Sequence, residues 1–376
     1  MGTTNINPSN PDSNQGSSLI EDIINGMFDW VRVLDRNDNI IYINKAMSEA
    51  LDNLKTGEKC YKAIGRSAPC ENCISRRTVF EGQSHEKEET IKDRIYSVMS
   101  SPVKDQNGEI IAVVEVLRDI TQMKLLQKKI TEQNHKLQSD LRIARKLQCS
   151  LLPKSFPEDK ISFSFIYRPC ETIGGDFLDI FKIDEDHVGV YIADVSGHGV
   201  PASMLTVFLR SSINKKLLSP AAVLKELYNE FNNSNFDQDL YITVFYAIFS
   251  LKENKIRFSN AGHNVCPILF NKGKFEILRS AGIPISNWMT APDYSDKFVN
   301  FTSGDKVFLY TDGIVELKND TNEQYGEKRL LDILLNASSG SGETLNNIAD
   351  SACKFAGIDT TAEIPDDITM ALVEIR

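Results

Sequence analysis

Apolar and polar positions change rhythm three times along the chain. The first 18 residues, MGTTNINPSNPDSNQGSS, carry almost no apolar side chain. They have too little to bury to offset the entropy of being ordered, so residues 1–18 are expected to form a disordered tail. From Leu19 short apolar runs alternate with polar turns: WVRVLD and IIYIN flank RNDN, and RIYSVMSSPV and IIAVVEVLRDIT flank KDQNGE. Two β-hairpins enclosing helical and loop residues follow from this pattern, which predicts a small α+β domain over residues 19–120.

Residues 121–152 contain neither Gly nor Pro. Met123, Leu126, Ile130, Leu137, Ala144, Leu147 and Leu151 fall on one a/d heptad series, interrupted by the polar Gln133 and Asp140. Such a seam predicts a coiled-coil linker that pairs two chains; the alternative is a single helix packed on its own domains. Pro153 and then Pro157 end the helix. Over residues 153–376 the runs ISFSFIYRP, HVGVYIAD, YITVFYAIF, KIRFSNA, KVFLYTDG and DITMALVEI alternate with two or three helical stretches. Several of these runs are apolar nearly throughout, as in strands covered on both faces. A pair of sheets flanked by helices fits best.

Composition narrows the classes of function. A chain of 376 residues, 41% of them hydrophobic, has enough apolar side chains for two cored domains. Its formal net charge of -10 argues against nucleic-acid binding, which needs clustered Lys and Arg. No apolar run approaches the roughly 18–20 residues that span a bilayer, and the N-terminus lacks a signal-peptide layout. No membrane insertion and a cytoplasmic location are expected. The 7 cysteines fit reduced thiols better than a disulfide framework. Three of them, Cys60, Cys70 and Cys73, crowd the segment CYKAIGRSAPCENC. The Cys-x-x-Cys pair there suits Zn²⁺ or a redox couple. Three thiolates are one short of a closed zinc site unless His85 or another group adds a fourth, and ordinary reduced thiols are the other reading.

The segment VYIADVSGHGV puts an aspartate, a serine and a histidine within five residues, which invites a search for a nucleophile among Ser196 and His198. The hydrophobic pattern points elsewhere. VGVYIAD is a buried strand ending at Asp194, and GHGVPASMLTVFLR begins a helix with Pro201 near its first turn. Upstream, GGDFLDIFKI starts at Asp176 and returns through the turn DEDH. Antiparallel pairing about Glu185 and Asp186 then sets Asp176 within about one residue of a position opposite Asp194, at roughly 5 Å. Carboxylates so placed repel, and a cation between them or a raised pKa on one relieves this. Asp312 follows the strand in KVFLYTDG, and Asp366 and Asp367 precede the strand in PDDITMALVEI. Adjacent antiparallel strands bring one strand's end beside another's start, so these acids can meet on one rim. A single Asp-Gly is ordinary turn chemistry; acids abutting four apolar strands are harder to explain that way. Oxygen ligands without a His or Cys cluster suit Mg²⁺ or Mn²⁺.

In order, ETIGGDFLDI, ADVSGHGVPASM, FSNAGHN, LYTDGIVE, YGEKRL and DDITM resemble the PP2C-type metal-dependent phosphatases of the bacterial SpoIIE/RsbU subclass. ARKLQCSLLP, through Ala144, Gln148, Leu151, Leu152 and Pro153, resembles the linker end of the same subclass. The resemblance implies an α-β-β-α sandwich, two Mn²⁺ or Mg²⁺ ions, and hydrolysis of phosphoserine or phosphothreonine on a protein. It implies that Asp194 bridges both metals, with the Val195 backbone carbonyl adding to the second. Asp312 and Asp366 complete the first metal's shell, Asp176 holds metal-bound water and orients the shell, and Asp367, which stands where many eukaryotic relatives carry Asn, is the alternative metal ligand to Asp366. Water is then the nucleophile, since paired divalent ions lower its pKa and clamp the phosphoryl oxygens.

In the same resemblance His263 supports the site and His198 faces solvent; Arg168, which precedes the GGD element, either contacts phosphate or is a surface arginine. Ser286 departs from the family's usual Gly without touching a metal position. GGDF also suggests a diguanylate cyclase, but the extra acid of that signature is missing and TDG and DDIT have no role in it. Residues 19–120 resemble a PAS sensor domain in DRNDNIIYIN and GEIIAVVEVLRDIT. The combined expectation is a PAS-like sensor, a dimerising linker that makes a homodimer, and a phosphatase acting on a phosphorylated STAS-type protein. A non-catalytic sensory scaffold that docks a signalling partner is the alternative.

Overall fold

The computed structural model describes residues 13–51, 54–154, 160–288, 292–337, 340–359 and 364–376. The chain divides into two compact units, Met1–Lys136 and Leu137–Arg376.

The first unit begins with α1 (Ser13–Asn25) and the hairpin β1 (Trp30–Leu34) and β2 (Ile40–Ile43). Short helices α2 (Lys45–Ala50), α3 (Cys60–Ala63) and α4 (Ile74–Glu81) follow, then β3 (His85–Ile91), β4 (Arg94–Lys104) and β5 (Ile110–Asp119). The strands form one antiparallel sheet in the order β2-β1-β5-β4-β3. The first hairpin turns where the Asp35 carboxylate accepts the N–H groups of Asn37 and Asn39, both at 2.8 Å, while Asp38 takes the left-handed conformation at φ 69°. This is the local chemistry that favours Asp and Asn in turns. Buried Asn44 accepts from Val31 and Met47 N–H and donates to the carbonyls of Ile24 and Asp29. One amide side chain thereby fastens α1, β1 and α2 together.

The disordered tail expected over residues 1–18 needs correction. Residues 1–12 lie outside the described residues, but from Ser13 the chain is helical. The helix runs N-terminally from the apolar stretch that begins at Leu19, since extending a formed helix is easier than nucleating one.

Helix α5 (Thr121–Leu151) contains the division between the units. Its start is set by Asp119, whose carboxylate accepts from Thr121 N–H at 2.9 Å. Met123, Leu126, Ile130, Leu137 and Leu147 on its heptad seam are exposed in the single chain, whereas Gln148 in its last turn is buried. No helix among the described residues is long and apolar enough to cross a membrane.

The second unit continues with β6 (Ile161–Arg168), β7 (Phe177–Lys182), β8 (His187–Val195), α6 (Gly199–Ser212), α7 (Pro220–Asn233), β9 (Ile242–Ser250) and β10 (Lys255–Ala261). Then come β11 (Ile268–Asn271), β12 (Lys274–Ile277), β13 (Lys297–Asn300), β14 (Lys306–Tyr310), α8 (Asp312–Val315), α9 (Gly326–Asn336), α10 (Ser341–Ala356) and β15 (Ile368–Ile375). Its strands make two five-stranded sheets, β13-β10-β9-β8-β7 and β12-β11-β14-β15-β6. The period of two decides which core each side chain enters. Val307, Leu309, Ala371 and Val373 join the apolar cluster built on the first sheet with α6 and α7. Their neighbours Phe308, Tyr310, Met370 and Leu372 join the cluster of α8, α9 and α10. Strands β14 and β15 at the centre of the second sheet are therefore apolar nearly throughout because both faces are covered, and the layers run helix, sheet, sheet, helix.

Candidate active site

The hairpin of β7 and β8 pairs Phe177 with Ala193, so its register, continued by one residue, sets Asp176 against Asp194. On its other side β8 pairs with β9, Asp194 opposite Thr243, and the Thr243 hydroxyl donates to the Asp194 carbonyl at 3.1 Å. Strands β14 and β15 bring Asp312 and Asp366 to the same end of the second sheet: Tyr310 pairs with Met370, and the two acids lie just beyond that pair. Asp194, Val195, Asp312 and Asp366 line one open cleft of about 520 Å³, together with Glu171 and His198.

Asp176 and Asp367 lie under the cleft rather than on its wall. Asp176 is 2% exposed and accepts the Thr311 hydroxyl at 2.7 Å. Burial, then the nearby charges of Asp194 and Asp367, push its carboxyl well above the usual range. Asp367 is 6% exposed and spends its oxygens on backbone: it accepts from Cys170 N–H at 2.7 Å, Gly175 N–H at 2.6 Å and Asp176 N–H at 3.2 Å. The two adjacent aspartates thus differ in employment, Asp366 facing the cleft and Asp367 folding the loop that delivers Asp176.

Glycines are required here by close approach. A Cβ on Gly174 would stand 2.6 Å from Asp367 Oδ2, and one on Gly313 would stand 2.0 Å from the Asp367 carbonyl oxygen. Gly313 is not left-handed, so the Asp-Gly pair at 312–313 is a packing requirement and not a turn.

The conspicuous Ser196 and His198 have other partners. Ser196 Oγ accepts from Tyr241 N–H at 2.9 Å, stitching the loop before α6 to the start of β9. His198 Nδ1 lies 2.7 Å from Glu171 Oε1 with its side chain 73% exposed. His263 is buried, with Nε2 3.0 Å from the Tyr310 carbonyl oxygen, and the next residue, Asn264, donates to Asp312 Oδ2 at 2.6 Å. Arg168 reaches the Cys353 sulfur at 3.5 Å and lines a neighbouring pocket with Arg145 of α5. Asn264, Thr311 and Thr243 escaped notice in the sequence, although each sits within or beside a strand-end run. Only Thr311 adjoins a site acid in sequence, Asp312, and that adjacency was the one available signal.

Electrostatically the cleft is an excess of negative charge. Burial first, then Asp312, Asp366 and Asp367, push the Asp194 carboxyl up to about 7. Asp366 is raised by burial and by Asp312, Asp367 and Glu316. Among the described residues no three His, Cys, Asp or Glu side chains already close on a common point in the manner of a metal cage. The donor set nonetheless fits a divalent cation in its chemistry: oxygen only, mutually repelling, and open to the cleft.

A two-sheet sandwich with helices outside and acids gathered at one end of the sheets defines the PP2C class of phosphatase fold. The chain belongs to the SpoIIE family: the family's model, Stage II sporulation protein E, matches residues 184–376, half the chain. A PAS-fold model matches residues 25–125. The chain is 27% identical over 246 residues to the phosphoserine phosphatase RsbU of Bacillus subtilis (strain 168), covering 63% of this chain and 70% of that one. It is 27% identical over 184 residues to phosphoserine phosphatase RsbP of the same organism, covering 47% of this chain. It spans 45% of the length of RsbP, under half of that relative. The SiaA-PP2C domain of Pseudomonas aeruginosa shares the fold, with a TM-score of 0.57 at 20% identity over 65% of this chain and 98% of that one.

Proposed function

We propose that the chain is a metal-dependent protein serine/threonine phosphatase whose PAS-fold unit regulates it. The observation that carries this reading is the meeting of Asp194, Asp312 and Asp366 with Val195 on one cleft. Asp194, Asp312, Asp366 and the Val195 carbonyl would hold Mn²⁺ or Mg²⁺. Two such ions supply Lewis acidity and a hydroxide-like nucleophile near neutral pH. Asp176 keeps its place beneath the cleft through Thr311 and through Asp367, which orders the 170–176 loop. Asn264 holds Asp312 through a hydrogen bond to its Oδ2.

The similarity to phosphoserine phosphatases RsbU and RsbP supports a phosphoserine substrate, and the motif resemblance to the SpoIIE/RsbU subclass extends this to a phosphorylated STAS-type protein in partner-switching signalling. Exposure of Met123, Leu126, Ile130, Leu137 and Leu147 along α5 supports a homodimer paired through that helix, because an apolar seam left in water is stabilised by a second copy. A cytoplasmic location agrees with these partners. The test is phosphate release from a phosphorylated STAS protein by the full chain with Mn²⁺ or Mg²⁺. Release that needs the metal and is lost in Asp194→Ala supports the enzyme; no metal-dependent release from the unaltered chain leaves the scaffold reading.

A further inference from the structure

We propose that Cys70 and Cys73 of the first unit form a reversible dithiol–disulfide site that a peroxide oxidises. The inference stands apart from the phosphatase reading, since it concerns thiols that play no part in the cleft. Glu71 and Asn72 make a turn between the two cysteines. A turn holds its end Cα atoms within about 7 Å, which meets the separation of roughly 4.4–6.8 Å a disulfide spans. Both residues are half-buried, so a small oxidant reaches them. Cys73 precedes α4 without using its sulfur to cap the helix, leaving that sulfur uncommitted.

The surroundings set what can react there. Cys70 and Cys73 line one cavity with Cys60, Arg32, Ser75 and Glu115. Its free space is about 20 Å³, close to the room one water needs and too small for an organic ligand. A peroxide is of the right size. Cys60 is 4% exposed, and burial pushes its thiol up to about 12, which keeps it protonated and a poor nucleophile. It stays a thiol while its neighbours react.

The step balances without a protein-derived oxidant. One sulfur of the pair attacks the O–O bond of hydrogen peroxide, giving a sulfenic acid and one water; the second sulfur displaces the sulfenic hydroxyl, giving the disulfide and a second water. Two electrons leave the sulfurs and reduce the peroxide, and an external dithiol reverses the change by becoming a disulfide itself. The consequence reaches the sheet. Cys73 adjoins α4, whose Ser75 donates to Glu115 of β5, and Glu115 is the buried partner of Arg32 at 2.7 Å. Strand β5 leads within two residues into α5.

The test is thiol trapping on the full chain, carried in a Cys149→Ser background because Cys149 is exposed. Stoichiometric hydrogen peroxide followed by an alkylating agent and peptide mass measurement should show loss of two alkylatable thiols. The peptide holding Cys70 and Cys73 should be lighter by two hydrogens, and a dithiol reductant should restore both sites. Cys70→Ser or Cys73→Ser should each abolish that loss. Three results overturn the proposal: both thiols still alkylated after peroxide, a disulfide pairing either one with Cys60, or protection before oxidation that a zinc chelator removes.

Discussion

Gln148 exchanges two hydrogen bonds with the backbone of Gly174: its side-chain amide donates to the Gly174 carbonyl at 2.8 Å and its carbonyl accepts from Gly174 N–H at 3.2 Å. The same amide also reaches the Thr206 hydroxyl of α6 at 3.1 Å. Gly174 is followed by Gly175 and Asp176, whose N–H groups go to Asp367. The last turn of α5 is therefore built into the loop that carries a buried site acid, and any rotation of that turn is felt there.

Truncation at this contact should be costly. Gln148→Ala leaves the Gly174 N–H and carbonyl without partners in a buried place, an expected loss of about 1–3 kcal/mol. A lower urea midpoint and slower metal-dependent phosphate release are both expected. An unchanged midpoint would show that water replaces the side chain at no cost.

The adjacent aspartates should separate chemistry from folding. Asp366→Asn removes a cleft carboxylate that like charges already strain, so phosphate release should collapse while the melting temperature holds or rises. Asp367→Ala removes the acceptor of three backbone N–H groups and should lower stability by about 1–3 kcal/mol or more. Equal melting temperatures for the two variants would refute this division.

What the sequence showed and what it hid divides along a physical line. Acids at strand ends were legible because apolar runs of fixed period locate the ends, and a hairpin with a short polar turn leaves almost no choice of register. Asp176 accordingly continues the pairing toward Asp194. The separate tasks of Asp366 and Asp367 were hidden, because they depend on a backbone segment almost two hundred residues away in sequence. Asn44 was hidden in the same way, a polar residue whose purpose shows only when the backbone groups it satisfies are in view; Gln148 stood out through the resemblance of the linker end, but its bonds to Gly174 did not. The helical residues after Ser13 escaped because composition speaks to the average of a segment and not to the helix that begins beyond it.

Gly313 offers a steric test. A Cβ there would sit 2.0 Å from the Asp367 carbonyl oxygen, a backbone atom that cannot swing away. Gly313→Ala should cost about 1–3 kcal/mol through overpacking and pull Asp312 and Asp366 out of position. Gly342→Ala, in the first turn of α10 with Ser164 Oγ at 3.7 Å as the nearest atom to the added Cβ, is the control and should melt no lower than the unaltered chain. Equal stability of the two variants would mean that the strand ends are less tightly packed than this contact requires.

His263 should make stability depend on pH with a defined sign. Burial lowers its pKa below the ordinary histidine value, against smaller raising effects of the Tyr310 carbonyl and Asp312. The native ring is neutral, with its proton on Nε2 facing that carbonyl at 3.0 Å, while in the unfolded chain the ring titrates near its ordinary value of about 6.5. Below that value the unfolded state binds a proton the native state refuses, so stability is lost as pH falls through the unfolded value. His263→Gln keeps a neutral donor and cannot be protonated. Urea midpoints taken from about pH 7.5 down to about pH 5.5 should therefore drop more steeply for the unaltered chain than for the variant. Parallel curves would mean that the native imidazole accepts its second proton as readily as the unfolded one does, and that the buried hydrogen bond to Tyr310 does not hold it neutral.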